Sequence, residues 1–296
     1  MRAFELLSAE NARHAAALLA EHGPSARLLA GGTDLLVELK SAPATPRLII
    51  DLSRAEDLKR IAVTEEGLSI GALVTHAQIM RSPLIRDGAP VLVDAAHAIG
   101  AAQTRNLGTL GGNLVTGVPS MDSGPALFAL DAQLTLVCAS GRRRLPISDF
   151  FVGPRKTVLK PDELLSEILI PAASLRKPAR FEKVGLRKGQ ALALVNVAAS
   201  MWIDWDTHSF VTPRIALGAV APTVMRAHSA EAFLEGQPVT LEAMAEAACL
   251  AAGEARPIDD FRASAWYRRD LVAVLARRAL FAAHGTALRM HEAGIA

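Results

Sequence analysis

QTRNLGTLGGNLVTGVPSMDSGPALFAL, Gln103 to Leu130, is the stretch on which the reading of this chain turns. Its centre, Thr109-Leu110-Gly111-Gly112-Asn113, sets a hydroxyl, an apolar spacer, two glycines and an amide in a row. Adjacent glycines allow backbone at φ > 0 and close approach to a ligand, with no Cβ in the way. A run of backbone N–H groups flanked by a Thr hydroxyl and an Asn amide suits an anion such as a diphosphate. Taken alone, two glycines signal only a turn.

Upstream lies a second such pair. Arg27–Ala30 reads as a buried strand running into Gly31-Gly32-Thr33-Asp34, and Leu35–Lys40 starts a helix that breaks before Pro43. Before it, Phe4–Leu7 reads as a strand, with Ser8 capping a helix on Ala12, Ala15, Ala16, Leu18 and Leu19 that ends at Gly23-Pro24. After it comes the strand Arg47–Asp51. A glycine pair at a strand-to-helix turn is where α/β folds hold anions, because the new helix presents unpaired N–H groups. Neither GxGxxG nor a Walker loop is present. Asp34, being acidic, suits helix capping or a ligand hydroxyl better than a phosphate.

Between the two pairs the pattern gives a hairpin of Lys59–Thr64 and Leu68–Gly71, a helix capped by Thr75 and a helix Val91–Ile99. Beyond them come a short helix Pro125–Leu130, a strand Gln133–Ala139, and Arg142-Arg143-Arg144 as a solvated hairpin edge. Pro171–Ala179, with two prolines, reads as a linker. Past it, Arg180–Gly185, Leu194–Asp204 and Arg214–Ala221 read as three antiparallel strands. Helices follow at Ser229–Leu234, Leu241–Ala252 and Ala263–Ala283, the last with Arg268, Arg269, Arg277 and Arg278 on a solvated face.

The 296 residues suffice for two domains, and a 51% hydrophobic share indicates packed cores. With 32 basic and 30 acidic residues the net charge is +2, which points to neither nucleic acid nor a membrane surface as partner. Cys138 and Cys249 form no CxxC or Cys/His cluster, so no metal or iron–sulfur site on this chain is expected; two buried thiols in a reducing cytoplasm are. The N-terminus lacks a signal-peptide h-region, and no apolar run approaches the ~20 residues of a membrane span.

Taken together these segments resemble the flavin-binding (medium) subunit of the molybdenum hydroxylases, the family of carbon monoxide and xanthine dehydrogenases, over nearly the whole chain. The resemblance rests on Leu28-Leu29-Ala30-Gly31-Gly32-Thr33-Asp34-Leu35 and on Arg105–Asn113 with Pro119 and Asp122 behind it. It rests also on Pro161–Leu165, Phe181-Glu182-Lys183, Arg214–Pro222 and Arg262–Arg269. Thr104, Met121 and Ser123-Gly124 depart from the family pattern.

The resemblance implies an α+β chain. A PCMH-type FAD-binding domain of two α/β subdomains would occupy residues 1–173, and a flavoprotein C-terminal domain, a three-stranded antiparallel sheet with a helical bundle, residues 180–284. It implies non-covalent FAD, its diphosphate on backbone N–H groups of Ala30–Asp34 and Thr109–Asn113. Leu28, Leu29, Leu35, Ile99, Leu110, Asp122, Leu165 and Lys183 (or Glu182) complete the implied site. Partners implied are a small subunit with two [2Fe–2S] clusters and a large molybdopterin subunit, as a dimer of heterotrimers. Electrons would pass from the clusters through FAD to an external acceptor. Two rivals are a self-contained flavin oxidase with FAD tethered to a histidine, His76 being the nearest candidate though read as an exposed side chain, and a non-catalytic assembly subunit.

Overall fold

Short leucine- and isoleucine-rich segments open the chain as strands β1 (Glu5–Ser8), β2 (Ala26–Leu29) and β3 (Leu48–Asp51), paired in parallel in the order β1-β3-β2. A computed structural model describes residues 3–41 and 46–295, so the expected helix stop at Pro43 lies outside the described residues. Helix α1 (Ala12–His22) buries Ala12, Ala15, Ala16 and Leu19, one stripe at helical spacing. Its cap is Asn11, whose side chain accepts from His14 N–H at 2.9 Å, not Ser8, which stays paired with Asp51 in the sheet. Helix α2 (Leu35–Ser41) follows β2.

A second unit is an antiparallel sheet of β4 (Ile61–Thr64), β5 (Gly67–Gly71), β6 (Gln133–Cys138), β7 (Gly141–Pro146) and a later strand, Leu164–Pro171. Strands β8 (Phe151–Gly153) and β9 (Lys156–Thr157) make a separate small hairpin, and Leu164–Pro171 is therefore β10. Between β5 and β6 run six short helices: α3 (His76–Arg81), α4 (Pro83–Gly88), α5 (Pro90–Ala98), α6 (Ala102–Leu107), α7 (Leu110–Thr116) and α8 (Ser123–Ala129). Ile79, Leu92, Leu110, Leu114 and Leu127 from these helices pack with Leu68, Ile70, Leu134, Leu136, Ile168 and Ile170 of the sheet. The basic triplet on β7 is not simply solvated: Arg143 forks onto the buried Glu163 with two bonds of 2.8 Å.

The third unit begins with β11 (Ala179–Gly185), β12 (Ala193–Asp204) and β13 (Ser209–Gly218). The three expected strands are joined by a fourth, β14 (Met225–Arg226), whose two residues are too few to leave a pattern. Period-two alternation turns this sheet into a shared wall. Phe181, Ala198 and Ala216 enter the core of the second unit, while Val195, Val197, Ala199 and Met201 enter the core of α9 (His228–Leu234), α10 (Leu241–Glu254) and α11 (Ala265–Glu292).

Two expectations about this unit change. Among the described residues α11 alone would pass for a membrane span by length and mean hydropathy, yet Val272, Leu275, Ala276, Ala279, Leu280 and Ala283 are packed in the core. Arg268 is buried rather than solvated, holding Asp260 at 2.8 Å and the Ala219 carbonyl at 3.1 Å. Cys138 is half-buried and Cys249 exposed, since α10 turns Met244, Ala247, Ala248 and Ala251 inward and Cys249 outward.

Candidate functional site

The end of β2 runs into the first glycine segment. Gly32 has φ +72°, a conformation that costs a side chain but not glycine. A Cβ on Gly31 would stand 1.7 Å from the Leu107 carbonyl oxygen, so the first segment lies directly against the end of α6 and the start of the second. Helix α2 begins just after, with Leu36 N–H donating to the Gly32 carbonyl at 3.1 Å and Glu38 N–H to that of Asp34 at 3.0 Å. Among the described residues, the N–H groups of Ala30, Gly31, Gly32, Thr33 and Asp34 donate to no protein acceptor. Five adjacent unpaired donors are an arrangement suited to an anion.

The second segment is built differently, and the expected symmetric clamp needs correcting. Thr109 caps α7, and Leu110 to Asn113 are that helix's first turn. Leu110 N–H donates to Val74 (2.9 Å), Gly111 N–H to Ala72 (2.9 Å), Gly112 N–H to Thr109 Oγ1 (3.0 Å) and Asn113 N–H to Thr109 (3.0 Å). These four donors are spent inside the protein. Gly111 is required by packing: a Cβ would come within 2.7 Å of the Ala72 carbonyl oxygen. What the segment offers a ligand is the Thr109 N–H, which donates to no protein acceptor among the described residues, and side-chain chemistry. The Thr109 hydroxyl, accepting from Gly112, still has its own proton to donate. Asn113 accepts from Ser123 Oγ through Oδ1, which leaves its NH₂ free.

The two segments face a cleft of about 660 Å³. Of the expected residues, Leu28, Ala30, Gly31, Gly32, Thr33, Asp34, Leu35, Ile99, Thr109, Gly111, Gly112, Asn113 and Leu165 line it. Ile99 and Leu165 are buried and supply apolar wall; Ile99 is the C-cap residue of α5, and Arg105 clasps its carbonyl at 2.9 Å.

Four expected residues do not line the cleft. Leu110 is sealed in the core, and Leu29 lies at the end of β2 beneath the loop. Asp122 and Lys183 are paired with each other at 2.5 Å behind Ile99, where Lys183 Nζ also donates to the Ala98 carbonyl at 2.9 Å. Asn196 donates to the other Asp122 oxygen at 2.8 Å. Burial pushes the Asp122 carboxyl up, against the pull of Lys183 and Asn196. Strand parity separates the neighbours: Lys183 turns toward Asp122, and Glu182 pairs with Arg180 at 3.0 Å.

Several residues that line the cleft escaped sequence reasoning. His76, expected at the surface, is 2% exposed and is a cleft residue; burial, with a smaller contribution from Arg105, lowers its pKa to about 4. Glu38 on α2 and Arg155 beyond β8 are joined by a hydrogen-bonded ion pair at the rim. Two separate chain segments meet there, and only the folded structure reveals it.

The cleft joins unpaired N–H donors at Ala30–Asp34 to apolar wall at Ile99 and Leu165, so a ligand with both an anion and apolar surface suits it. FAD meets these requirements, and the five unpaired N–H groups are the observation that tests the fit. The comparisons with known proteins agree. Residues 2–173 match the FAD binding domain in molybdopterin dehydrogenase, and residues 180–283 the CO dehydrogenase flavoprotein C-terminal domain. The chain is 34% identical over 280 residues to the carbon monoxide dehydrogenase medium chain of Hydrogenophaga pseudoflava, covering 95% of this chain and 96% of that one. It is 32% identical to the glyceraldehyde dehydrogenase medium chain of Sulfolobus acidocaldarius, over 93% of this chain and 96% of that one. A solved structure of the Hydrogenophaga pseudoflava carbon monoxide dehydrogenase, lacking the Mo-pyranopterin moiety, superposes with a TM-score of 0.91 at 34% identity, over 96% of this chain and 98% of its counterpart.

Proposed function

The chain belongs to the FAD-binding (medium) subunits of the molybdopterin dehydrogenases, and from that premise we propose that it relays electrons through one non-covalent FAD held in the cleft. The observation that carries the reading is the set of unpaired N–H groups from Ala30 to Asp34, which a diphosphate would satisfy. The Thr109 hydroxyl and the Asn113 NH₂ would donate from the adjoining segment. Ile99 and Leu165 would supply the apolar surface for the flavin ring and exclude water there. The Lys183–Asp122 pair holds the Ile99 turn in place through the Ala98 carbonyl, and ties the flavin end of the cleft to the C-terminal sheet. When bound, FAD supplies the ability to accept electrons one at a time and pass them on in pairs.

Substrate oxidation belongs to other chains in this reading. A large molybdopterin subunit carries it out and a small subunit with two [2Fe–2S] clusters delivers the electrons, the three chains forming a dimer of heterotrimers in the cytoplasm. Support comes from the names of the relatives, which are medium chains and FAD subunits. The site residues and the domain boundaries at 173 and 180 form part of the same proposal.

The test is a titration of the purified chain with FAD, followed by acid precipitation. One flavin bound per chain, released entirely into the supernatant, is expected. Flavin left in the pellet would point to a covalent tether, and no uptake at all to a non-catalytic subunit. In the co-expressed complex, reduction of the flavin by substrate should require the small subunit.

A further inference from the structure

His76 is the first residue of α3, fixed there by a reciprocal capping box between Thr75 and Gln78 and by its own N–H, which donates to the Gly108 carbonyl at 3.0 Å. Its ring is buried, yet it lines the cleft. Nδ1 is sealed from solvent with no hydrogen-bond partner, and no side-chain hydrogen bond of His76 occurs among the described residues. Burial keeps the imidazole neutral at neutral pH, so it bears a single N–H. A proton on Nδ1 would be a sealed donor without an acceptor, which folded proteins avoid; the proton therefore sits on Nε2.

Nε2 is bonded to Cδ2, and the position of Cδ2 is informative. The point where a Cβ on Gly108 would stand is 3.4 Å from His76 Cδ2 and 3.5 Å from Thr33 Oγ1. His76 and Thr33 thus flank the bare backbone of Gly108, at the seam where the two glycine segments meet. On one side of that seam are the unpaired N–H groups of Ala30 to Asp34. The nearest cation, Arg105, is committed to the carbonyls of His97 and Ile99. The seam itself offers an anion backbone N–H groups, and the His76 N–H is a further donor for which the protein provides no acceptor.

We propose that His76 is a cofactor-binding residue whose Nε2–H donates to the diphosphate of the ligand in the cleft. The inference rests on the reading that this ligand is FAD. It goes further in giving the phosphate site a side-chain donor from α3, outside both glycine segments.

The full-length chain, freed of flavin, is titrated with FAD and separately with riboflavin, which has the ring but no phosphate, following the quenching of flavin fluorescence. Replacing one hydrogen bond to a charged group should make H76L bind FAD about 10- to 100-fold more weakly, with riboflavin affinity changed by less than about 2-fold. H76Q, whose amide N–H reaches roughly the place of Nε2, should keep most of the FAD affinity, and H76N, which mimics Nδ1, should not. If H76L folds poorly, the Gln and Asn variants decide the matter. FAD binding by H76L as tight as wild type, an equal loss of FAD and riboflavin, or no difference between H76Q and H76N would overturn the proposal. A wild-type chain that takes up no FAD would overturn the functional reading as well.

Discussion

Gly31-Gly32-Thr33 and Thr109-Leu110-Gly111-Gly112 put the same residue types side by side on one cleft and use them for different ends. In the first segment the backbone is irregular, Gly32 sits at positive φ, and the N–H groups are left without protein acceptors. In the second the backbone is helical, the N–H groups are all engaged from Leu110 to Asn113, and Gly111 is there because Ala72 leaves no room for a Cβ. One segment supplies donors and the other supplies a closely packed wall with two polar side chains. A double glycine therefore says that the backbone must come close to something. Whether that something is a ligand or the protein itself depends on where the N–H groups go.

The largest effects should come from Gly31 and Gly111, the glycine in each segment that abuts other backbone. Gly31→Ala drives a Cβ into the Leu107 carbonyl and Gly111→Ala drives one into Ala72. Each should lower stability by about 3 kcal/mol or more in denaturant unfolding and abolish FAD binding. Unchanged stability in either would show that the seam is looser than described.

His76 sits on that seam and gives the next effect, through pH. Its folded pKa, about 4, lies below the ordinary value of 6.5. Between these values the unfolded chain takes up a proton that the folded chain refuses, so stability falls as pH drops from 6.5 toward 4 and is unaffected above that range. The shift corresponds to roughly 3 kcal/mol across the window. Denaturation curves of the FAD-free chain should show this slope, and H76Q should flatten it.

The smallest effects sharpen the contrast between the second glycines. Gly32→Ala places a side chain at φ +72° and should cost about 1–2 kcal/mol, with weaker FAD binding. Gly112→Ala meets the Thr109 hydroxyl at 2.8 Å and touches Ala30 Cβ at 4.0 Å, and gains helix propensity; stability should stay within about 1 kcal/mol of wild type. Equal losses in the two variants would erase the distinction drawn between the segments.

Much of this arrangement was legible in the sequence, and the reasons differ residue by residue. Leu48–Asp51 and Gly67–Gly71 announce themselves because short buried strands leave dense apolar runs bounded by turns. Ala30–Asp34 is legible because a glycine pair between strand and helix is a local signal. The helical state of Gly111-Gly112 is not, since it depends on acceptors at Ala72 and Val74, far away in sequence. The burial of His76 is likewise imposed from a distance, by the Gly108 carbonyl and the wall of the cleft. Asn11 displaces Ser8 as a cap because the strand keeps pairing through Ser8 to Asp51. That Lys183 rather than Glu182 faces Asp122 follows from the register of β11 on β12, where Lys183 pairs with Asn196, the residue that also holds Asp122.

The most direct test is amide hydrogen exchange resolved over Ala30–Asp34 and Leu110–Asn113, with and without FAD. The account predicts fast exchange at Ala30–Asp34 in the FAD-free chain and strong protection once FAD is added. Leu110–Asn113 should be protected from the start and change little. Exchange at Ala30–Asp34 that ignores saturating FAD, or an FAD-dependent protection confined to Leu110–Asn113, would contradict it.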